Sequence, residues 1–186
     1  MRIISGFLKG KKIDFLKSTI TRPLRDFVKE NIFNIIHHSK FINIKLINAN
    51  VLDVYSGVGS FGIECISRGA KSSTFIENNY EALIKLKKNL DELNINKSSE
   101  VFNEKVNSFF NRSDIKNKFE IIFFDPPYSE DAIVDDLKLI KSSSIFKKKH
   151  LIVIHREAKS KDKFDKIINI LLIKNYGRSK VIFGAF

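Results

Sequence analysis

Val51-Leu52-Asp53-Val54-Tyr55-Ser56-Gly57-Val58-Gly59-Ser60-Phe61-Gly62 opens as an apolar run, meets a carboxylate at its third residue and ends in three glycines. The run reads as a strand, and the glycines as a tight turn that starts a helix. Gly57, Gly59 and Gly62 fit G-x-G-x-x-G, a pattern that lets backbone N–H groups and a helix N-terminus approach a nucleotide-like ligand. The position of Asp53 narrows the ligand. A turn that binds pyrophosphate gains nothing from a negative charge four residues before its first glycine. A carboxylate there suits a cation, and S-adenosylmethionine fits, because its sulfonium and α-ammonium are positive and it has no phosphates. Gly57 and Gly59 are therefore candidate cofactor contacts, with Asp53 orienting the ammonium end and Tyr55 and Ser56 lining the turn.

Glu77 follows Gly57 by twenty residues and closes the β-rich run Ser73-Thr74-Phe75-Ile76. An acid at the tip of the second strand can accept bonds from both ribose hydroxyls of a bound nucleoside, in NAD enzymes and in methyltransferases alike. Asn78, beside it, joins the cofactor-binding set. The run Ile121-Ile122-Phe123-Phe124-Asp125-Pro126-Pro127-Tyr128 separates the two chemistries. It is a buried type of strand ending in Asp-Pro-Pro-Tyr, which nicotinamide chemistry does not need. An exocyclic amine does need such a group, because its lone pair is delocalised into the ring and it is a weak nucleophile. Hydrogen bonds from its two N–H groups to the Asp125 carboxylate and the Pro126 carbonyl would hold it and favour a pyramidal nitrogen. Pro126 and Pro127 stiffen the loop, and Tyr128 would stack on an extruded base and aim the amine. These four are the candidate catalytic residues.

The chain has 186 residues, a length that suits one domain with its own core. Neither a signal peptide nor an apolar run long enough to span a bilayer is present, so a cytoplasmic location is expected. Cys65 is the single cysteine, which excludes an internal disulfide and a multi-cysteine zinc site, and its place in the helix after the glycine turn predicts a packing role. No metal is implied. The formal net charge is +12, which points to a polyanionic partner. Part of the lysine content reflects a composition rich in Ile, Lys and Asn. The distribution is more informative: residues 1–50 hold ten Lys or Arg against three acids.

Residues 2–8 and 11–16 read as two short strands joined through Lys9-Gly10, a hairpin whose Arg2, Lys9, Lys11 and Lys12 would lie along a phosphate backbone. A solvated edge guarded by lysines would carry the same residues. Thr21 can cap a helix with Pro23 in its first turn. Leu24, Phe27, Val28, Ile32, Ile35 and Ile36 then recur at helical spacing, leaving Arg25, Lys29 and Glu30 on the outer face. Arg22 and Arg25 complete the candidate RNA-binding set, and His37 and His38 suit the helix C-terminus. Further on, strands are predicted at 51–55, 73–77, 100–103, 120–124 and 151–155, and helices at 60–68, 80–93, 106–110 and 132–142. This alternation makes an α/β fold, a parallel sheet doubly wound with helices on both faces. The stretches 164–175 and 180–186 read as a closing hairpin. Lys147-Lys148-Lys149 reads as a solvated charge run in a loop, and His155-Arg156-Glu157 as surface residues at a strand end, with contact to the target nucleotide as the alternative because that sheet edge binds ligands.

Asp53 to Gly59, Glu77 and Asp-Pro-Pro-Tyr resemble the motifs of amino-group methyltransferases. With Arg2-Ile3-Ile4-Ser5-Gly6, Lys9-Gly10-Lys11-Lys12, Thr21-Arg22-Pro23 and Asn31-Ile32-Phe33-Asn34, the chain resembles the bacterial 16S ribosomal RNA guanine-N2 methyltransferase family over nearly its whole length. The resemblance implies a Rossmann-like sheet of order 3-2-1-4-5-7-6 with the last strand antiparallel, residues 1–40 forming a basic hairpin and helix, and 41–186 the cofactor-binding core of the same domain. It also implies an enzyme that methylates a guanine N2 amine in 16S ribosomal RNA or the small-subunit particle; the sequence leaves the oligomeric state open, with a monomer favoured. Members carry an acidic or amide residue near the position of Lys105, so adenine recognition here would fall to Asn103, Glu104 or backbone groups near Val106. Three other functions use the same residues: methylation of adenine N6 or a protein glutamine, nicotinamide-dependent oxidoreduction, and RNA chaperoning without catalysis.

Overall fold

The computed structural model describes residues 1–16, 24–115, 117–127 and 132–186. Seven strands make one sheet: β1 (Asn50–Val54), β2 (Ser72–Ile76), β3 (Ser99–Phe102), β4 (Phe119–Phe124), β5 (Phe146–Glu157), β6 (Asn169–Tyr176) and β7 (Ser179–Ala185). Their order in space is β3-β2-β1-β4-β5-β7-β6, as the resemblance implied. The first five run parallel, and β7 is antiparallel to both β5 and β6. The helices are α1 (Asp26–His38), α2 (Ser60–Ser67), α3 (Tyr80–Glu92), α4 (Val106–Phe110) and α5 (Ile133–Ser143).

Alternation along the strands separates two cores. Leu52, Val54, Ile122, Phe124, Ile152 and Ile154 face α4 and α5. Val51, Ile121, Phe123, Leu151 and Val153 face α1 and α2. Both sets are fully or nearly fully buried, as central parallel strands covered on both faces must be. No helix among the described residues is long and apolar enough to cross a membrane. Cys65 is buried in α2, and burial pushes its thiol well above the ordinary range, which agrees with packing.

The N-terminal segment differs from the predicted hairpin. It holds a single antiparallel bridge, Arg2 to Lys12, and residues 5–10 form turns where strands were expected. Hairpin pairing is confined to its ends, where Ile3 donates to the Lys11 carbonyl, Gly10 to the Ile3 carbonyl and Ile13 to the Met1 carbonyl, and N–H groups between them go to α2. Ile4 and Ser5 donate to the Glu64 carboxylate at 2.8 and 3.0 Å, and Phe7 and Leu8 donate to Ser67. At Gly6, φ is +86° and a Cβ would fall 1.8 Å from the Ser67 carbonyl oxygen, so only glycine permits this approach. Ile3, Leu8 and Ile13 then cover α2, and every residue of that helix is buried.

Other boundaries move for local reasons. Thr21 and Pro23 lie outside the described residues, and α1 is described from Asp26. Two of its residues exchange the places expected of them. Phe27 is exposed, whereas Lys29 is buried, its ammonium donating to the Arg2 carbonyl at 3.0 Å and Ser60 Oγ at 3.2 Å beside the Glu64 carboxylate. Helical spacing set Phe27 inward, but its ring meets Tyr176 at the surface, while the face that carries Lys29 is covered by the N-terminal segment. β5 begins at Phe146, so Lys147, Lys148 and Lys149 belong to the strand and not to a loop. Lys147 pairs with Glu120 on β4, which lets an exposed strand end carry charge. Residues 164–168 precede β6 and are not part of it.

Candidate active site

The site lies where α/β sheets bind ligands, at the C-terminal ends of the parallel strands. The turn after β1 needs left-handed backbone at Tyr55, Gly57 and Gly59, with φ of 60°, 55° and 85°. The three glycines serve different ends. A Cβ on Gly57 would meet nothing within 4 Å, so this backbone is open to a ligand. One on Gly59 would lie 2.5 Å from Leu86 Cδ1, and one on Gly62 2.3 Å from Phe75 Cε1. Gly62 thus brings α2 close to β2, and the side-chain direction of Gly59 is taken by α3 packing.

Two acids hold the turn. Asp53 is buried beneath it, and its Oδ2 accepts the Gly62 N–H at 2.9 Å. Glu77 accepts the Gly57 N–H through Oε2 and the Asn79 N–H through Oε1, each at 2.7 Å. Asn79 in turn caps α3 by accepting the Ala82 N–H at 2.9 Å. Burial raises the Asp53 carboxyl well above the usual range against the bond from Gly62, and the charges of Asp125 and Glu77 add to the rise. Burial also raises Glu77, opposed by the backbone N–H groups around it. The acids Asp53 and Glu77 beside the open Gly57 backbone suit a cationic ligand better than a phosphate.

The remaining turn residues face elsewhere. Tyr55 donates its hydroxyl to Asp136 on α5 at 2.5 Å, and the Ser56 hydroxyl donates to the Ile76 carbonyl at 3.4 Å. Both side chains brace the turn, while Asn78 is exposed beside Glu77.

Asp125 follows β4, with its N–H toward the Val54 carbonyl at 3.4 Å. Phe124 pairs with Ile154, which sets Asp125 level with His155 on β5. His155 Nδ1 lies 2.8 Å from Asp125 Oδ1 and, with its proton on Nδ1, donates to that carboxylate. Arg156 Nη1 donates to the Pro127 carbonyl at 3.3 Å, while Nε and Nη2 grip Asp162 at 2.9 and 3.2 Å. His155 and Arg156 are buried, which corrects their reading as surface residues. The available signal was three polar residues ending an apolar strand at the ligand edge. Tyr128 lies outside the described residues.

The sequence matches the family described as conserved hypothetical protein 95 over residues 1–185. The chain belongs to that family. One relative, the ribosomal RNA small subunit methyltransferase D of Buchnera aphidicola subsp. Acyrthosiphon pisum, is 36% identical over 158 residues, covering 84% of this chain and 78% of its own. The putative ribosomal RNA methyltransferase YlbH of Bacillus subtilis is 32% identical, covering 84% and 83%. Among solved structures, the putative methyltransferase yhhF from Escherichia coli superposes with a TM-score of 0.84 at 25% identity, covering 99% of this chain and 96% of its own. The kinship read from the motifs therefore holds for the family and the Rossmann-like methyltransferase fold.

In this member of the conserved hypothetical protein 95 family, other expected contacts are distributed unevenly. Glu104 pairs with Arg112 at 3.1 Å, and Asn103 and Lys105 are exposed near the start of α4. Lys9, Lys11, Lys12 and Arg25 are exposed, and Arg2 pairs loosely with Asp26 at 3.6 Å. Arg22 lies outside the described residues. The basic turn docks on Ser67, at the far end of α2 from the glycine turn. Seven residues of helix rise about 10 Å, so Lys9 stands away from the edge that carries the glycine turn. Among the described residues, no group of three or more His, Cys, Asp or Glu is arranged to hold a metal.

Proposed function

We propose that the protein transfers the methyl group of S-adenosylmethionine to the exocyclic N2 amine of a guanine in 16S ribosomal RNA. The observation that carries this reading is the meeting, at one sheet edge, of an acidic glycine turn and an Asp-Pro-Pro loop braced by His155 and Arg156. The turn suits the cofactor in two respects. Gly57 leaves open the space a side chain would fill, and the groups around it are carboxylates, which favour a sulfonium and an ammonium over phosphates. Glu77 would take the ribose hydroxyls and Asp53 the ammonium end, with Gly59, Tyr55, Ser56 and Asn78 shaping or bordering the turn. When bound, S-adenosylmethionine supplies a methyl already activated by its sulfonium.

The chain's own work is then positioning. Asp125 would accept one N–H of the target amine and the Pro126 carbonyl the other. His155 fixes the carboxylate's orientation, and Arg156 fixes the far side of the loop through Pro127. Tyr128 would stack on the extruded base. Holding the reacting atoms in line converts an encounter into an intramolecular step, the largest rate gain such a site offers. RNA as substrate is supported by the relatives' names and by the basic N-terminal third. Guanine N2 is favoured by the resemblance of residues 2–12 and 21–34.

Mass mapping of methylated nucleosides in 16S RNA from cells with and without the protein tests this. Loss of one N2-methylguanine is expected. Loss of a methylated adenine, or of none with a glutamine methylated instead, assigns another amine. Calorimetry should show S-adenosylmethionine binding, and NADH binding in its place would reject the cofactor.

A further inference from the structure

Phe27 occupies a core position of the helical pattern, yet 65% of it is exposed. Its ring meets Tyr176 edge-on, with 5.9 Å between centroids and 85° between planes. The two come from opposite ends of the chain, and both stand on the catalytic edge. Glu157, the last residue of β5, pairs with Ser179, and Ser179 pairs with Tyr176, so the β6–β7 turn projects beyond the strand end that carries His155. α1 reaches the same edge, because Lys29 contacts Ser60, the first helical residue after the glycine turn. Arg25 and Arg178, both exposed, adjoin the aromatic pair in sequence, and Arg2 lies beside Asp26. An aromatic pair partly in water, with an exposed arginine two residues from each ring in sequence, is a composition that suits unpaired nucleic acid: rings for base faces and cations for phosphates.

We propose that Phe27 and Tyr176 form a stacking platform for an unpaired RNA base next to the target nucleotide, with Arg25 and Arg178 taking the adjoining phosphates. This rests on the RNA reading above. Extruding a target from its stack leaves its neighbour without a partner on one side. A ring pair beside the catalytic loop gives that neighbour a new surface and sets the register of the strand. Sequence tolerance follows, because every base has a π face.

The protein contains no tryptophan, so Phe27→Trp creates a single fluorescent reporter on the platform. The probe is a short, end-labelled single-stranded RNA of mixed sequence. Tryptophan quenching should saturate together with the RNA anisotropy. Phe27→Ala should weaken RNA binding roughly 5- to 150-fold, and Phe27→Tyr should restore it. S-adenosylmethionine affinity and melting temperature should not move in either variant. If RNA binds with an unquenched tryptophan and Phe27→Ala keeps its affinity, the platform is wrong and the RNA reading stands. If Phe27→Ala weakens binding only to assembled small-subunit particles, the surface meets protein and the proposal falls. Wild-type protein that binds neither RNA nor particles overturns the RNA reading and the platform with it.

Discussion

The two halves of the candidate site are built by different means. Between β1 and α2 the turn is tied by main chain: Asp53 and Glu77 take the N–H groups of Gly62, Gly57 and Asn79 at 2.7–2.9 Å, and neither acid needs a basic partner. Across the sheet, the Asp125–Pro127 loop is tied by side chains from β5, His155 to a carboxylate and Arg156 to a carbonyl. A turn held by backbone keeps its shape under most substitutions, apart from those at its glycines and acids. A loop held by side chains depends on a fully desolvated guanidinium and an imidazole, and its precision can be removed one residue at a time.

The largest effect should come from the side-chain half. Asp125→Ala should cut tritiated methyl transfer to undermethylated small-subunit particles about 10²- to 10³-fold, the scale of removing a group that meets the reacting centre. Calorimetric S-adenosylmethionine affinity should stay unchanged. His155→Ala should lower kcat by less, and His155→Asn, which can still donate, should recover part of it. Near-normal turnover by Asp125→Ala would remove the loop from the mechanism and erase the contrast.

Next in size is Arg156→Leu. It leaves the half-buried Asp162 without its guanidinium, which should cost about 2 kcal/mol and lower the urea midpoint. The pair Arg156→Leu with Asp162→Leu should recover most of that loss. If the single change is as stable as wild type, the guanidinium is not what braces Pro127.

The glycines test the backbone half. Gly62→Ala drives a methyl into Phe75 and should cost about 2 kcal/mol while cofactor affinity holds in the folded fraction. Gly57→Ala meets open space, pays only the left-handed backbone cost of about 1 kcal/mol, and should lose cofactor affinity instead. Equal effects of the two on stability and binding would dissolve the division between packing and ligand glycines.

A smaller effect depends on pH. The folded Asp53 carboxyl titrates above its unfolded value, so its contribution to stability is present at low pH and is lost as pH rises through the folded pKa. Asp53→Asn keeps an acceptor for Gly62 without the buried charge. It should therefore melt higher than wild type on the alkaline side, and the gap should close on acidification. If Asp53 meets the cofactor ammonium, the same change should weaken cofactor binding, opposite in sign to its effect on stability. The smallest change is expected for Lys9, Lys11 and Lys12 replaced together by Gln, at the end of α2 away from the site. The salt dependence of RNA binding should flatten by about 0.7 for each phosphate that is no longer neutralised, with transfer at saturating RNA unaffected.

What was readable in the sequence follows the same division. The glycine turn and Glu77 come from contacts set by local spacing, the strand order came with the family resemblance, and the periodicity of Val51 to Val54 and Ile121 to Phe124 already carries both faces of the sheet. The misreadings fall where a residue's partner is remote. Ile4 to Leu8 looks like a strand until the N–H groups of Ile4, Ser5, Phe7 and Leu8 find Glu64 and Ser67 on α2. Lys29 looks solvated until the Arg2 carbonyl and Ser60 enclose it.

By itself, then, the sequence determined that a parallel sheet brings a turn with two acids and an Asp-Pro-Pro loop to one edge, because strand and helix periods and glycine's backbone freedom act over a few residues. Only the tertiary structure decided that His155 and Arg156 are buried braces, that Gly62 packs while Gly57 stays open, and that Phe27 meets Tyr176 in water. Each of those depends on which side chain arrives from an element far along the chain, and burial and pairing have no local signature until the chain has closed around them.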